Sequence, residues 1–330
     1  MQFVLVSAAN ANDLMLNKSF YYCVQPRQDY LFSKYRGKDD LVLTWFEVTS
    51  GLCQQVTMDR KGKRSKLATL KRFKPVTRAS YERRGKGWAF RDGQPDIMSI
   101  VDVYRFVEDQ VAHSIFEVSI FCHAWEGGPV IVDSYDDRHY KDASGKTVWI
   151  RDEARDPDDK DGRTRDFEPV NRNLAKFQAA FNPEGAIRVW GCNHTDRDVD
   201  LFKRLFLHKE YRRTGMKDSQ ALVLHLPSKY DSEFTTRGLP VTKGRLACTF
   251  GELRHYIERE FNSCYNAKAA RGAGVKAYGG APGNGSDVGG KGGFPMYIVA
   301  TPGHNLQIIE FYKKYLGVKF DVASFAEFAP

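Results

Sequence analysis

Six apolar runs rich in β-branched and aromatic residues punctuate the chain. They fall at residues 3–8 (FVLVSA), 41–48 (LVLTWFEV), 116–124 (FEVSIFCHA), 186–192 (AIRVWGC), 275–280 (VKAYGG) and 295–301 (PMYIVAT). Each has the length and residue types of a β-strand. Apolar positions between several of them recur at helical spacing: Ile97, Ile100, Val101, Tyr104 and Val107 before the third run, and Leu174, Phe177, Ala180 and Phe181 before the fourth. Residues 249–271 read as one long helix before the fifth run, and residues 306–316 as a last helix after the sixth. Pro95 and Asp96 mark a helix start, with a carboxylate at the positive end of the helix dipole. Strands this apolar are covered on both faces. The pattern therefore predicts an α/β fold of three layers, a mostly parallel six-stranded sheet flanked by helices. With no internal repeat and no Pro/Ser-rich linker, residues 1–330 read as a single domain. Two charged elaborations interrupt it, at 53–94 after the second strand and at 133–169 after the third.

Charge changes this picture only locally. The net charge is +9, yet residues 60–91 hold thirteen Lys or Arg and one acid, Glu82, so the rest of the chain sums to −3. A uniformly basic nucleic-acid binder is excluded. A basic arm at 60–91 on a near-neutral body fits, and it would attract an anionic partner such as nucleic acid, phospholipid headgroups or inositol phosphates; a solvated face is the simpler alternative. Residues 133–168 lean the other way, with twelve acids against eight bases. No apolar run approaches the roughly 18 residues of a membrane span, so an integral membrane protein is not expected. The first residues, MQFVLVS, do not read as a secretory signal. Six cysteines without a CxxC pair point to a reducing cytosol at the site of synthesis.

In a parallel sheet, ligands gather at the carboxyl ends of the strands. The third run ends in His123 and the fourth in Cys192. If those strands are neighbours, about 4.8 Å apart, an imidazole stands beside a thiol, the arrangement that makes a cysteine nucleophilic. Ala124 and the glycines at 127, 128 and 191 would free backbone N–H groups for an oxyanion and let substrate approach. His194 competes with His123 for the base role, whereas Cys122 should face the opposite side of the sheet as a core residue. Trp125 and Glu126 would line the cleft, Glu126 within reach of the imidazole. Two plainer readings stay open: a structural cysteine at a strand end, and a metal site from His123, Cys192 and His194 with Cys264 or His139.

The FCHAW and VWGCN segments, in this strand order, resemble the caspase–hemoglobinase fold of cysteine peptidases. That family includes caspases, legumains, gingipains, separases and the self-cleaving domains of large bacterial toxins. Its six-stranded sheet carries the catalytic His just after the third strand and the Cys just after the fourth, so the resemblance implies Cys192 as nucleophile and His123 as its partner. Ala124 stands where the family usually has Gly. The resemblance also implies a protein or peptide substrate, a cleavable segment between His and Cys, and the setting of a bacterial effector or toxin exported without a cleaved signal. Toxin domains of this fold are switched on by inositol hexakisphosphate at a basic surface. An inactive scaffold acting through the basic arm, and a non-peptidase amide hydrolase or transferase acting through Cys192, are the alternatives.

Two further segments carry weaker patterns. Residues 285–292 (GSDVGGKG) nearly make a phosphate-binding loop, but Gly292 replaces the magnesium-binding hydroxyl and a strand follows instead of a helix. The stretch reads instead as a mobile cleft wall offering Asp287 or Asn284 to a substrate, or as a disordered loop. No cofactor is called for, although residues 156–168 place Asp159, Asp161, Gly162 and Glu168 at calcium-loop positions 3, 5, 6 and 12, with Pro157 in place of the first ligand. Some relatives of the fold bind calcium.

Overall fold

The structure is a computed structural model describing residues 1–9, 20–84, 87–91, 93–132, 139–141, 147–149, 159–193, 195–289, 293–299 and 304–330. Eight strands hydrogen-bond into one sheet: β1 (Gln2–Ser7), β2 (Leu41–Glu47), β3 (Leu52–Met58), β4 (Ala68–Arg72), β5 (Ile115–Phe121), β6 (Phe181–Trp190), β7 (Lys276–Gly279) and β8 (Ala326–Phe328). Their order is β8-β7-β6-β5-β1-β2-β3-β4. The five strands from β7 to β2 run parallel, while β8 at one edge and β3 and β4 at the other run antiparallel to their neighbours. The central strands are apolar on both sides because helices cover both sides. α1 (Tyr21–Tyr35) lies on the face of Phe3, whose ring meets Tyr35 at 5.2 Å between centroids. α2 (Ile100–Glu108) lies on the other face, where Phe106 meets Phe46 of β2 at 5.3 Å.

Helix α2 shows why these residues fold as they do. Ile100, Val103, Tyr104 and Val107 share one face and are buried, each burial worth about 1.5–3 kcal/mol. Ser99 caps the start, its backbone N–H donating to Asp102 at 2.9 Å. The helix thus begins at Ile100, four residues after the start expected at Asp96.

Polar residues interrupt the apolar strands at one place on the α1 face. Arg27 of α1 reaches down to Glu117 of β5, its Nε donating to Oε1 at 2.8 Å and its Nη2 pairing with Oε2. Ser119 donates to the same carboxylate at 2.5 Å and accepts from the Trp190 indole at 2.9 Å. Arg27 also donates to the Gly293 carbonyl at 2.5 Å. Arg188 of β6 lies 3.9 Å from Glu117 and pairs with Asp321 at 2.8 Å. Burial alone would raise the Glu117 carboxyl, but the guanidinium of Arg27, with Arg188 and the Ser119 hydroxyl, outweighs it and holds the group below the usual carboxylate range.

Several expectations need correction. The sheet has eight strands, not six. The run at 295–301 does not enter it: Met296–Ile298 pairs with Ser286–Val288 in a separate hairpin, and β8 takes the edge place beside β7. The third run splits, because β5 ends at Phe121 and His123–Trp125 starts a second hairpin with Gly128–Val130. The expected long helix breaks at Cys264 into α5 (Phe250–Ser263) and α6 (Tyr265–Ala273), after α3 (Leu174–Ala180) and α4 (Asp196–Leu207) and before α7 (Asn305–Leu316).

Much of the basic segment is sheet. β3 leads into it and β4 lies within it as an antiparallel extension, and all five residues of β4 are exposed. Arg60 pairs with Asp39 at 3.5 Å, Arg64 with Asp29 at 3.7 Å, and Lys71 with Asp102 at 3.6 Å. Among the described residues, no helix is long and apolar enough to cross a membrane.

Of the acidic segment, the part from residue 159 is packed into the body. Asp161 accepts from the Ile131 and Val132 backbone N–H groups at 2.6 and 3.0 Å, and Asp159 from Arg163 at 2.8 Å. These two carboxylates, at calcium-loop positions 3 and 5, are thus committed to protein donors, and Pro157 lies outside the described residues. No group of three or more His, Cys, Asp or Glu placed to hold a metal occurs among the described residues.

Candidate active site

β5 and β6 are direct neighbours, in a register that pairs Phe121 with Trp190 and stacks their rings at 5.7 Å. Cys122 N–H continues the ladder to the Trp190 carbonyl at 3.3 Å. His123 and Cys192 therefore sit on adjacent strand ends, each two residues beyond the last stacked pair. Gly191 lets the ends approach: a Cβ there would lie 2.8 Å from the Cys122 carbonyl oxygen and 2.8 Å from the Ala124 methyl. Alanine at 191 is expected to force the ends apart and lower stability by about 1–3 kcal/mol. Thermal unfolding measures this; an unchanged midpoint would contradict the close approach.

His123 is exposed, and the edge of its ring meets Phe20 at 5.1 Å. Cys192 is half-buried, and Ser286 approaches its sulfur with three polar atoms. The Ser286 N–H donates to Sγ at 3.2 Å, its hydroxyl oxygen lies at 3.6 Å and its carbonyl oxygen at 3.7 Å. Cys122 is buried beside it, and burial pushes that thiol well above its ordinary range. It is a core residue.

Buried asparagines join the Cys192 chain end to the loop carrying Ser286. Asn193 N–H donates to the Asn284 carbonyl at 2.9 Å, and Gly283 N–H to the Asn193 carbonyl at 2.7 Å. Asn284 is fully buried and its amide donates to Asn305, so it holds the loop rather than facing a substrate. Asp287 is exposed, its carboxylate accepting from the Val288 N–H at 2.7 Å. His194 lies outside the described residues.

Glu126 turns away from the imidazole. It pairs with Arg197 of α4 at 2.7 Å and with Arg237 at 2.8 Å, and Glu260 of α5 binds Arg237 at 2.6 Å. Glu126, Arg237 and Glu260 line a cleft of about 570 Å³ together with Trp125, Gly127, Cys264 and Pro282. Gly127 lies under the Trp125 ring, where a Cβ would come within 2.1 Å of it. Gly127 thus belongs to the cleft wall. Arg197 is 1% exposed and is held by Glu126, Asp198 and Glu260, so this network fixes the His123 hairpin to α4 and α5.

Sequence reasoning missed Ser286 and the bonds of Asn284 with Asn193 on one side and Asn305 on the other. The only signal was the Gly-rich setting of residue 286 after a strand. Comparisons with protein-family models, curated proteins and solved structures find no match to this chain.

Proposed function

We propose that the chain is a cysteine-dependent hydrolase acting on peptide bonds, of the caspase–hemoglobinase kind. One observation carries the reading: a half-buried thiol ends a parallel strand, with a backbone N–H aimed at its sulfur, beside a strand that leads into an exposed histidine. The order of the parallel strands supports it as well, since His123 follows the third in the chain and Cys192 the fourth.

In this reading the Cys192 thiolate adds to the scissile carbonyl carbon, and the carbonyl electron pair moves to oxygen. N–H groups at Ala124 and Gly191 take that charge. The carbon–nitrogen bond breaks as the His123 imidazolium protonates the leaving amine. Water, giving its proton to His123, then hydrolyses the thioester and releases the thiolate. Asp287, exposed next to Ser286, is available to a substrate side chain.

Iodoacetamide labelling near neutral pH, read by mass spectrometry, tests the proposal. Cys192 is expected to react ahead of the five other cysteines, because burial raises Cys53, Cys248 and Cys264 to about 11 and pushes Cys122 well above its ordinary range, while Cys23 is buried in the core. Labelling of Cys192 no faster than Cys248, which is also half-buried, would remove the proposal. The reading then left is a scaffold binding an anionic partner through the basic edge, which draws on the exposure of all five β4 residues.

A further inference from the structure

We infer that Ser286 holds the Cys192 sulfur in its thiolate form through its backbone N–H and its hydroxyl, and that Asn305 is the residue that positions Ser286. This inference rests on the peptidase reading of Cys192.

Three polar atoms of Ser286 stand around the sulfur. The neutral thiol donates to the carbonyl oxygen. When the proton leaves, the N–H at 3.2 Å keeps donating and the hydroxyl at 3.6 Å turns its hydrogen to sulfur. From Ser286, two donors then face the thiolate against one carbonyl, and hydrogen bonds to a charged acceptor are the strong ones. With the sulfur's charge met from the loop side, His123 is left for the proton of the leaving amine.

Such donors work only if they are fixed. The Asn305 side chain grips the Gly285 peptide from both sides, accepting from its N–H at 3.1 Å and donating to its carbonyl at 3.3 Å, and donates to Val299 at 2.7 Å. Asn284 donates to the Asn305 side chain at 3.3 Å, while its own carbonyl receives the N–H of Asn193, the residue after the thiol. Asn193, Asn284 and Asn305 are 2%, 0% and 8% exposed. Burying an amide is costly unless it is bonded, and these bonds fasten the residues on either side of the sulfur. Among the described residues, the titratable groups adjoining it include Cys122, His123 on the neighbouring strand end and Asp287 next to Ser286; the variants below change none of them.

The experiment is the pH profile of iodoacetamide alkylation at Cys192 in the full chain. Ser286→Ala is expected to move the midpoint up by about one pH unit, slowing alkylation at pH 7 about tenfold. Ser286→Thr, which keeps the hydroxyl, should restore the profile. Asn305→Ala should shift the midpoint the same way without touching the sulfur, with thermal unfolding confirming that the chain remains folded. If Cys192 is labelled first in the parent chain but Ser286→Ala and Asn305→Ala keep its profile, the inference is overturned and the peptidase reading stands. If Cys192 is not labelled first in the parent, both fall.

Discussion

Alanine at residue 192 is expected to reduce hydrolysis of a fluorogenic peptide library by about 10³-fold or more, because in the proposed mechanism its sulfur forms the covalent intermediate. His123→Ala should cost about 10²–10⁴-fold, the range for a lost general acid–base. The two losses should not add, since both residues serve the same step. Cys192 is half-buried, and removing its sulfur leaves at most a small cavity, so the variant should unfold within a few degrees of the parent. Equal turnover by the parent and Cys192→Ala would end the hydrolase reading; a loss confined to His123→Ala would assign the chemistry elsewhere.

The second large effect concerns stability. Arg27→Ala strands the Glu117 carboxylate, with Arg188 3.9 Å away and already paired to Asp321. Breaking a buried pair from one side costs about 3–5 kcal/mol, which denaturant unfolding at pH 7 would read directly. The pH dependence has a definite sign. Glu117 is held below its usual range, so in the parent its contribution is present above the unfolded value of about 4.3 and fades as pH falls through the lower folded value. The gap between parent and Arg27→Ala should therefore be largest near neutrality and narrow in acid. A gap that widened as pH fell would refute this account of the cluster.

The parallel core was legible because burial on both faces writes a continuous apolar run, as in β1, β2, β5 and β6. The antiparallel edges were not. β3, inside the antiparallel end of the sheet, carries Gln54 and Gln55, and β4 carries Lys71 and Arg72 because an edge strand meets water and need not be apolar. The run at 295–301 misled for the converse reason: Met296 and Ile298 are buried in a small hairpin, and apolar character reports burial without naming the strand's neighbour. His123 and Cys192 could be singled out because strand ends are readable. Their polar surroundings could not, since Asn193, Asn284 and Asn305 are far apart in the chain and no short motif links them.

The bond from Asp161 to the Ile131 and Val132 N–H groups has an engineering consequence. It works as a stitch, tying the place where the chain leaves the His123 hairpin to the place where it returns. An insertion between these points meets that stitch before it reaches the hairpin, so epitope tags or reporter cassettes spliced there should leave the histidine's footing undisturbed.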